Sequence, residues 1–109
     1  MGKVRNIREF TVAISNKLME ENWEFNAVYS RLTGMTFTLE SKLQDYKTSL
    51  NIIPDAMTKD FLCQTILNNH LYGVMRYDPE NDDLDQYLKT LIKMLEDLRD
   101  CEIEIKIEK

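Results

Sequence analysis

The chain has 109 residues, 43% apolar and 30% charged, with a formal net charge of −5. That length is expected to form a single α+β domain over residues 1–109 and leaves no room for two independent cores. The composition excludes a disordered chain, and with only three Gly and two Pro most of it should be regular structure.

The N-terminal run Met1-Gly-Lys-Val-Arg-Asn-Ile-Arg-Glu breaks any apolar stretch before it reaches the roughly 7–15 residues of a secretory signal. No window approaches the ~18 apolar residues of a membrane span. Gly2 lacks the Ser or Thr at position 6 that myristoylation requires, since Asn6 stands there. A soluble, cytoplasmic protein is the expectation. Cys63 and Cys101 are too few for a disulfide framework, so reduced, buried thiols in helices are expected.

Charge is uneven. Residues 1–54 carry 7 basic and 6 acidic side chains, whereas residues 55–109 carry 7 and 13. No general phosphate-neutralising surface results, which disfavours nucleic acid; a local basic patch remains at Lys3, Arg5 and Arg8.

Val4, Ile7, Phe10, Ile14 and Leu18 recur at steps of three and four and predict a first helix from about Val4 to Glu21. Asn22 can end it in the left-handed conformation. The period then drops to two. Trp23, Phe25, Ala27 and Tyr29 predict a half-buried strand, Thr33-Gly34 a turn with positive φ at Gly34, and Met35, Phe37, Leu39 and Leu43 its hairpin partner. A third strand runs from Tyr46 to Ile53, where Pro54 stops it, giving a three-stranded meander.

Pro54-Asp55 opens a predicted second helix, Asp55 to Tyr72, with Met57, Phe61, Leu62, Ile66 and Leu71 facing inward and Gly73 past its end. Val74 to Tyr77 reads as a short extended piece before the turn at Asp78-Pro79. Asp82 or Asp83 caps a third helix carrying the clearest pattern in the chain, Leu84, Leu88, Leu91, Leu95 and Leu98, widened by Tyr87. Ile103, Ile105 and Ile107 alternate with Glu and Lys and predict a C-terminal strand added to the sheet. The predicted order is α-β-β-β-α-(β)-α-β, an antiparallel meander packed against three helices.

No catalytic constellation emerges. His70, the one histidine, lies two helical turns from Cys63 on the predicted second helix, about 10 Å by the helical rise, too far for a thiol–imidazole pair. Asp78 to Asp85 holds five acids in eight residues, yet a calcium loop starting at Asp78 would need Gly where Asp83 stands and Glu where Lys89 stands. Phosphate-cradling Gly-rich loops and a Gly-x-Ser-x-Gly elbow are absent. Trp23, Phe25, Tyr29 and Phe37 could stack on bases, but Arg31 and Lys42 are the only clear cations beside them, and core packing accounts for the aromatics better. The leucine stripe of the third helix follows the heptad spacing for only about two heptads, so packing on the sheet is its expected use. Dimerisation through the spare edge of that helix or through an edge strand is the second.

By elimination the sequence points to a small non-enzymatic protein-binding module, an accessory inhibitor or adaptor of bacterial or phage type. Asp78, Glu80, Asp82 and Asp83 are its candidate contacts with a basic protein partner. No cofactor and no metal is expected, and a homodimer is compatible. The alternatives are a structural subunit of a symmetric assembly and a small carboxylate-dependent enzyme.

Overall fold

A computed structural model describes residues 6–31, 34–39 and 47–108, with side chains as far as Leu98. The elements in chain order are α1 (Ile7–Glu20), β1 (Phe25–Ser30), β2 (Gly34–Leu39), β3 (Thr48–Pro54), β4 (Phe61–Leu67), β5 (His70–Tyr77) and α2 (Leu84–Glu108). The fold is α+β: a five-stranded antiparallel sheet in the order β1-β2-β3-β4-β5, with two helices in place of the three expected.

α1 begins where Asn6 caps it, its side-chain oxygen accepting the Glu9 N–H at 2.9 Å. It ends as expected at Asn22, whose φ of 63° lets the chain reverse. The Trp23 N–H then donates to the Leu18 carbonyl at 2.9 Å, closing the terminal turn of a Schellman-type cap. Phe10, Ile14 and Leu18, one face of the helix, are fully buried. Val4, Lys3 and Arg5 of the sequence reading lie outside the described residues, as do Thr33, Lys42, Leu43 and Tyr46.

β1 and β2 pair with Phe25 against Leu39, Ala27 against Phe37 and Tyr29 against Met35. Side-chain direction follows the expected alternation, but burial does not. Phe37 and Leu39 are buried and Phe25 is half-buried against Phe37, their rings edge to face at 5.4 Å. Ala27 and Tyr29 are exposed, because β1 is an edge strand. Gly34 takes the expected positive φ, 78°.

The predicted second helix, Asp55 to Tyr72, is instead a loop followed by β4 and most of β5. Phe61, Cys63 and Thr65 are buried while Leu62, Gln64 and Ile66 turn to the opposite face, a period of two. The hairpin is made by Asn68-Asn69, with φ of 50° and 69°. Two successive left-handed residues form the primed turn whose twist matches antiparallel strands, and Asn accepts that conformation readily. Of the five residues assigned inward on a helix, only Phe61 is buried; Met57 is 90% exposed and Leu71 59%. Cys63 therefore lies on a strand, not a helix. Gly73 sits inside β5, where Tyr72 is an extra residue between the Thr65–Gly73 and Ile66–Leu71 pairs, a β-bulge.

α2 carries the leucine stripe as expected. Leu88, Leu91, Leu95 and Leu98 are buried with Tyr87, and Leu84 packs at the margin. Burying each such leucine contributes about 1.5–3 kcal/mol. The helix continues to Glu108, so the predicted C-terminal strand through Ile103, Ile105 and Ile107 is helical. Between Leu98 and Ile103 there is no Gly or Pro to release the chain from the helix, and Glu and Lys are good helix formers. At 25 residues α2 spans about 37 Å. Cys101 is within it, its side chain outside those described.

Both helices lie on one face of the sheet. The core joins Phe10, Ile14 and Leu18 of α1 and Tyr87, Leu88, Leu91, Ile92 and Leu95 of α2 to the inward residues of β2 to β5. At one end Phe10, Phe61, Tyr77 and Tyr87 stack or tilt against one another with ring centroids 5.0–6.5 Å apart. No described helix is long and apolar enough to cross a membrane.

Candidate functional site

The aromatic cluster lies at the end of the sheet where β3 and β5 finish and β4 starts. Two acidic loops are anchored there. The first, residues 55–60, is folded on itself: the Asp55 carboxylate accepts the Met57 N–H at 2.9 Å, the Thr58 hydroxyl accepts the Asp60 N–H at 3.1 Å, and the Asp55 N–H donates to the Asp60 carbonyl at 3.0 Å. Arg76 of β5 binds it to the sheet. One Nη1 donates to Asp55 at 2.6 Å, to Asp60 at 3.0 Å and to the Thr58 hydroxyl at 3.3 Å. The Met57 N–H, then Arg76, hold the Asp55 carboxyl below its ordinary range, and the two carboxylates make Arg76 harder to deprotonate.

The second loop, residues 78–83, holds the four residues singled out in the sequence. The structure gives them different tasks. Asp78 accepts the Glu80 N–H at 2.9 Å and the Asn81 side-chain amide at 2.7 Å, and these bonds, the amide foremost, lower its pKa. Asp82 accepts the Asp78 N–H at 2.8 Å. Asp83 is the cap of α2, receiving the Asp85 N–H at 2.9 Å and the Gln86 N–H at 3.4 Å. Glu80 is exposed and joins this bonding only through its backbone N–H. The same carboxylates also suit the positive end of the α2 dipole.

Tyrosines fix the loop to the core. Tyr77 donates to the Asp82 carbonyl at 3.3 Å and Tyr87 to the Met75 carbonyl at 2.9 Å. Burial, with neighbouring carboxylates adding to it, raises the pKa of Tyr77; burial also raises that of Tyr87. Both hydroxyls therefore serve as neutral donors.

The loops face each other across an open hollow of about 690 Å³. Asp55, Asp60 and Glu80 stand on its rim with Lys59, and Ile7, Phe61 and Pro79 on its walls. Together the two loops bring six carboxylates, Asp55, Asp60, Asp78, Glu80, Asp82 and Asp83, against the two cations Lys59 and Arg76. Met57, 90% exposed, adds an apolar side chain at the tip of the first loop.

The sequence reading missed Asp55, Asp60 and Arg76, since a helix from Asp55 to Tyr72 holds Asp55 and Asp60 apart from Arg76 in the extended piece beyond it. The spacing Asp55-x-Met57 and Thr58-x-Asp60, with an acceptor side chain two residues before the donor N–H, is the Asx- and ST-turn pattern that marks a loop. The other singled-out residues do not assemble. His70 is exposed beside the Asn68-Asn69 turn, whereas Cys63 is wholly buried on the inner face of β4, where burial pushes its thiol up to about 12. A thiol so far from ionisation is a packing group. Among the described residues no cluster of three or more His, Cys, Asp or Glu is arranged to hold a metal ion.

A second hollow, of about 930 Å³, lies between α1 and the ends of β1, β2 and β3. It is lined by Val12, Tyr29, Met35 and Ile53 and by two arginines, Arg8 and Arg31, neither in an ion pair with a described residue. Comparison with protein-family models, with curated proteins and with solved structures finds no match to this chain.

Proposed function

We propose that the protein is a non-enzymatic protein-binding module, an inhibitor or adaptor that engages a basic partner through the acidic end formed by residues 55–60 and 78–83. The observation that carries this reading is the gathering of six carboxylates against two cations on two adjoining loops, with Asp55, Asp60 and Glu80 on the rim of one hollow and Met57 exposed on the first loop. Such a surface steers a basic partner during encounter, while a flexible, polarisable methionine supplies apolar contact that adapts to the surface it meets. The carboxylates are held by turns and by Arg76, so little ordering is required on binding. A reducing, cytoplasmic setting belongs to the same reading and is supported by the free, buried Cys63.

The test is affinity capture from a cell lysate at low salt, comparing the parent with the combined variant Asp78→Asn, Glu80→Gln, Asp82→Asn, Asp83→Asn. Each Asn keeps one acceptor oxygen, so the turns and the α2 cap survive at a cost of about 1 kcal/mol per lost hydrogen bond. The expected outcome is a partner retained by the parent, released by added salt and captured poorly by the variant. Equal capture by both proteins would sink the proposal for this surface.

A further inference from the structure

We infer that β1 is a dimerisation strand, pairing antiparallel with β1 of a second copy across a two-fold axis at Ala27 and joining two five-stranded sheets into one of ten. The inference goes beyond the acidic surface and does not depend on it.

The two edges of the sheet are built differently. β5 carries the devices by which natural edge strands avoid further pairing: a bulge at Tyr72 and a charged side chain, Arg76, tied to two carboxylates. β1 carries none of them. Phe25-Asn-Ala-Val-Tyr-Ser30 holds no charge, proline or glycine and pairs residue for residue with β2 without a bulge. Asn26 to Tyr29 are exposed in succession, Val28 at 62% and Tyr29 at 68%. An uncharged strand paired, among the described residues, on one side is a template for another strand.

The sequence of β1 suits itself as the occupant. A two-fold axis normal to a sheet places residues of the same face opposite one another, so partners must share parity. Centred on Ala27, the pairing sets Phe25 against Tyr29 of the second copy and Asn26 against Val28. Aromatic pairs across strands are favourable neighbours, and the two-fold supplies the Phe25–Tyr29 pair twice. Tyr29, exposed on the helix-bearing side in the single chain, gains an aromatic partner.

Charge agrees. The acidic loops adjoin β4 and β5, and the hollow beside β1 carries Arg8 and Arg31. Pairing at this edge therefore keeps the acidic loops of the two copies apart. Glu24 of each copy falls one position from Arg31 of the other. With strands about 4.8 Å apart, the two β5 edges end up nine spacings, about 43 Å, from each other. That distance is several times the ~8 Å screening length at physiological salt.

The experiment measures solution mass by sedimentation over a concentration series, together with cross-linking. The parent should weigh twice its 12.9 kDa chain mass. Ala27→Lys sets two cations against each other on the axis and should sediment as a monomer with an unchanged circular dichroism spectrum. Ala27→Cys in a Cys101→Ser background should oxidise rapidly to a disulfide-linked dimer, because residues opposed across the axis have Cβ atoms about 4.5–5.5 Å apart. Val74→Cys on β5, in the same background, should not. If Ala27→Lys loses its fold, the cross-link decides alone. A parent that stays monomeric at its highest soluble concentration overturns the inference, and so does a dimer that cross-links through Val74→Cys and not through Ala27→Cys.

Discussion

Two glycines offer a sharp test of the strand assignments, because the same substitution should act in opposite directions. At Gly34 the backbone φ is 78°, and a Cβ built there would stand 2.5 Å from the Ile52 carbonyl oxygen. Holding alanine in the left-handed region costs about 1–2 kcal/mol. The contact adds to this, since the obstacle is backbone of β3 in the paired ladder and cannot swing away as a side chain would. Gly34→Ala should therefore cost at least about 2 kcal/mol, or about 8 °C or more in Tm for a domain of this size. At Gly73 the backbone is outside the left-handed region and an added Cβ meets nothing within 4 Å. Gly73→Ala restricts the unfolded chain without strain in the folded one, so it should stabilise by about 0.4–1 kcal/mol. Urea and thermal unfolding followed by circular dichroism, at one protein concentration, would measure both. A Gly34→Ala protein within about 0.5 kcal/mol of the parent would refute the close β2–β3 approach.

Truncations in α2 and in the segment of β4 and β5 should separate just as clearly. Leu91→Ala and Leu95→Ala should each cost about 2–5 kcal/mol, whereas Met57→Ala and Leu71→Ala, removing exposed side chains, should stay within about 0.5 kcal/mol. Comparable losses at all four positions would restore the helical assignment of residues 55–72. The Arg76 cluster predicts a pH effect. Because the Asp55 pKa is lowered on folding, the stability it contributes is complete above the ordinary Asp value and is lost as pH falls through the lowered one. Arg76→Met removes part of that lowering, so its deficit relative to the parent, read as a urea midpoint, should be largest near neutral pH. It should shrink below about pH 4. A deficit independent of pH would show that Arg76 acts through packing alone.

Legibility from sequence followed the kind of signal each segment carries. α1 and the leucine stripe of α2 are long, with apolar residues in one register, so period and burial agree; the Asp83 cap agrees too, whereas α1 begins at Ile7 after the Asn6 cap and not at Val4. β1 and β2 alternate cleanly on either side of a turn signal and are equally readable, apart from burial in β1, while β3, with weaker alternation, is marked by Pro54 at its end. Which strand becomes an edge depends on where the helices lie, and no local pattern records that. The failure at residues 55–72 has a specific cause. Met57, Phe61, Leu62 and Ile66 satisfy a helical spacing while Phe61, Cys63 and Thr65 form a strand face, and Asn68-Asn69 falls inside the expected helix. Both asparagines are left-handed, which a helix does not allow. Once that turn was missed, Asp55, Asp60 and Arg76 could not be brought together, although Asp78 to Asp83 stood out as a loop. At the C-terminus the alternating isoleucines favoured a strand, but with no breaker after Leu98 helix continuation prevails.

The uncovered face of the sheet bears on how these features combine. Both helices cover one side, so the other meets water, and its centre is polar: Thr36, Thr38, Ser49, Asn51 and Gln64, with the Thr36 hydroxyl donating to Asn51 at 2.9 Å. Apolar groups on that face include the exposed Val28 on β1 and Leu71 and Val74 on β5, with half-buried Ile53, Leu62 and Ile66 near the strand ends of β3 and β4. A single layer of helices leaves this mixed face to water. A two-fold normal to the sheet would keep that arrangement, placing all four helices on one side and a continuous polar surface on the other. Val28 would gain neighbours at the seam, and the acidic loops would remain beside the outer edges with their carboxylates free to meet a partner. Pairing through β5 would instead set a strand against the bulge and against the Arg76 cluster that holds the acidic end in place. On this fold, the edge that can accept a second copy and the edge that carries the charge are different edges, and occupying one leaves the other open.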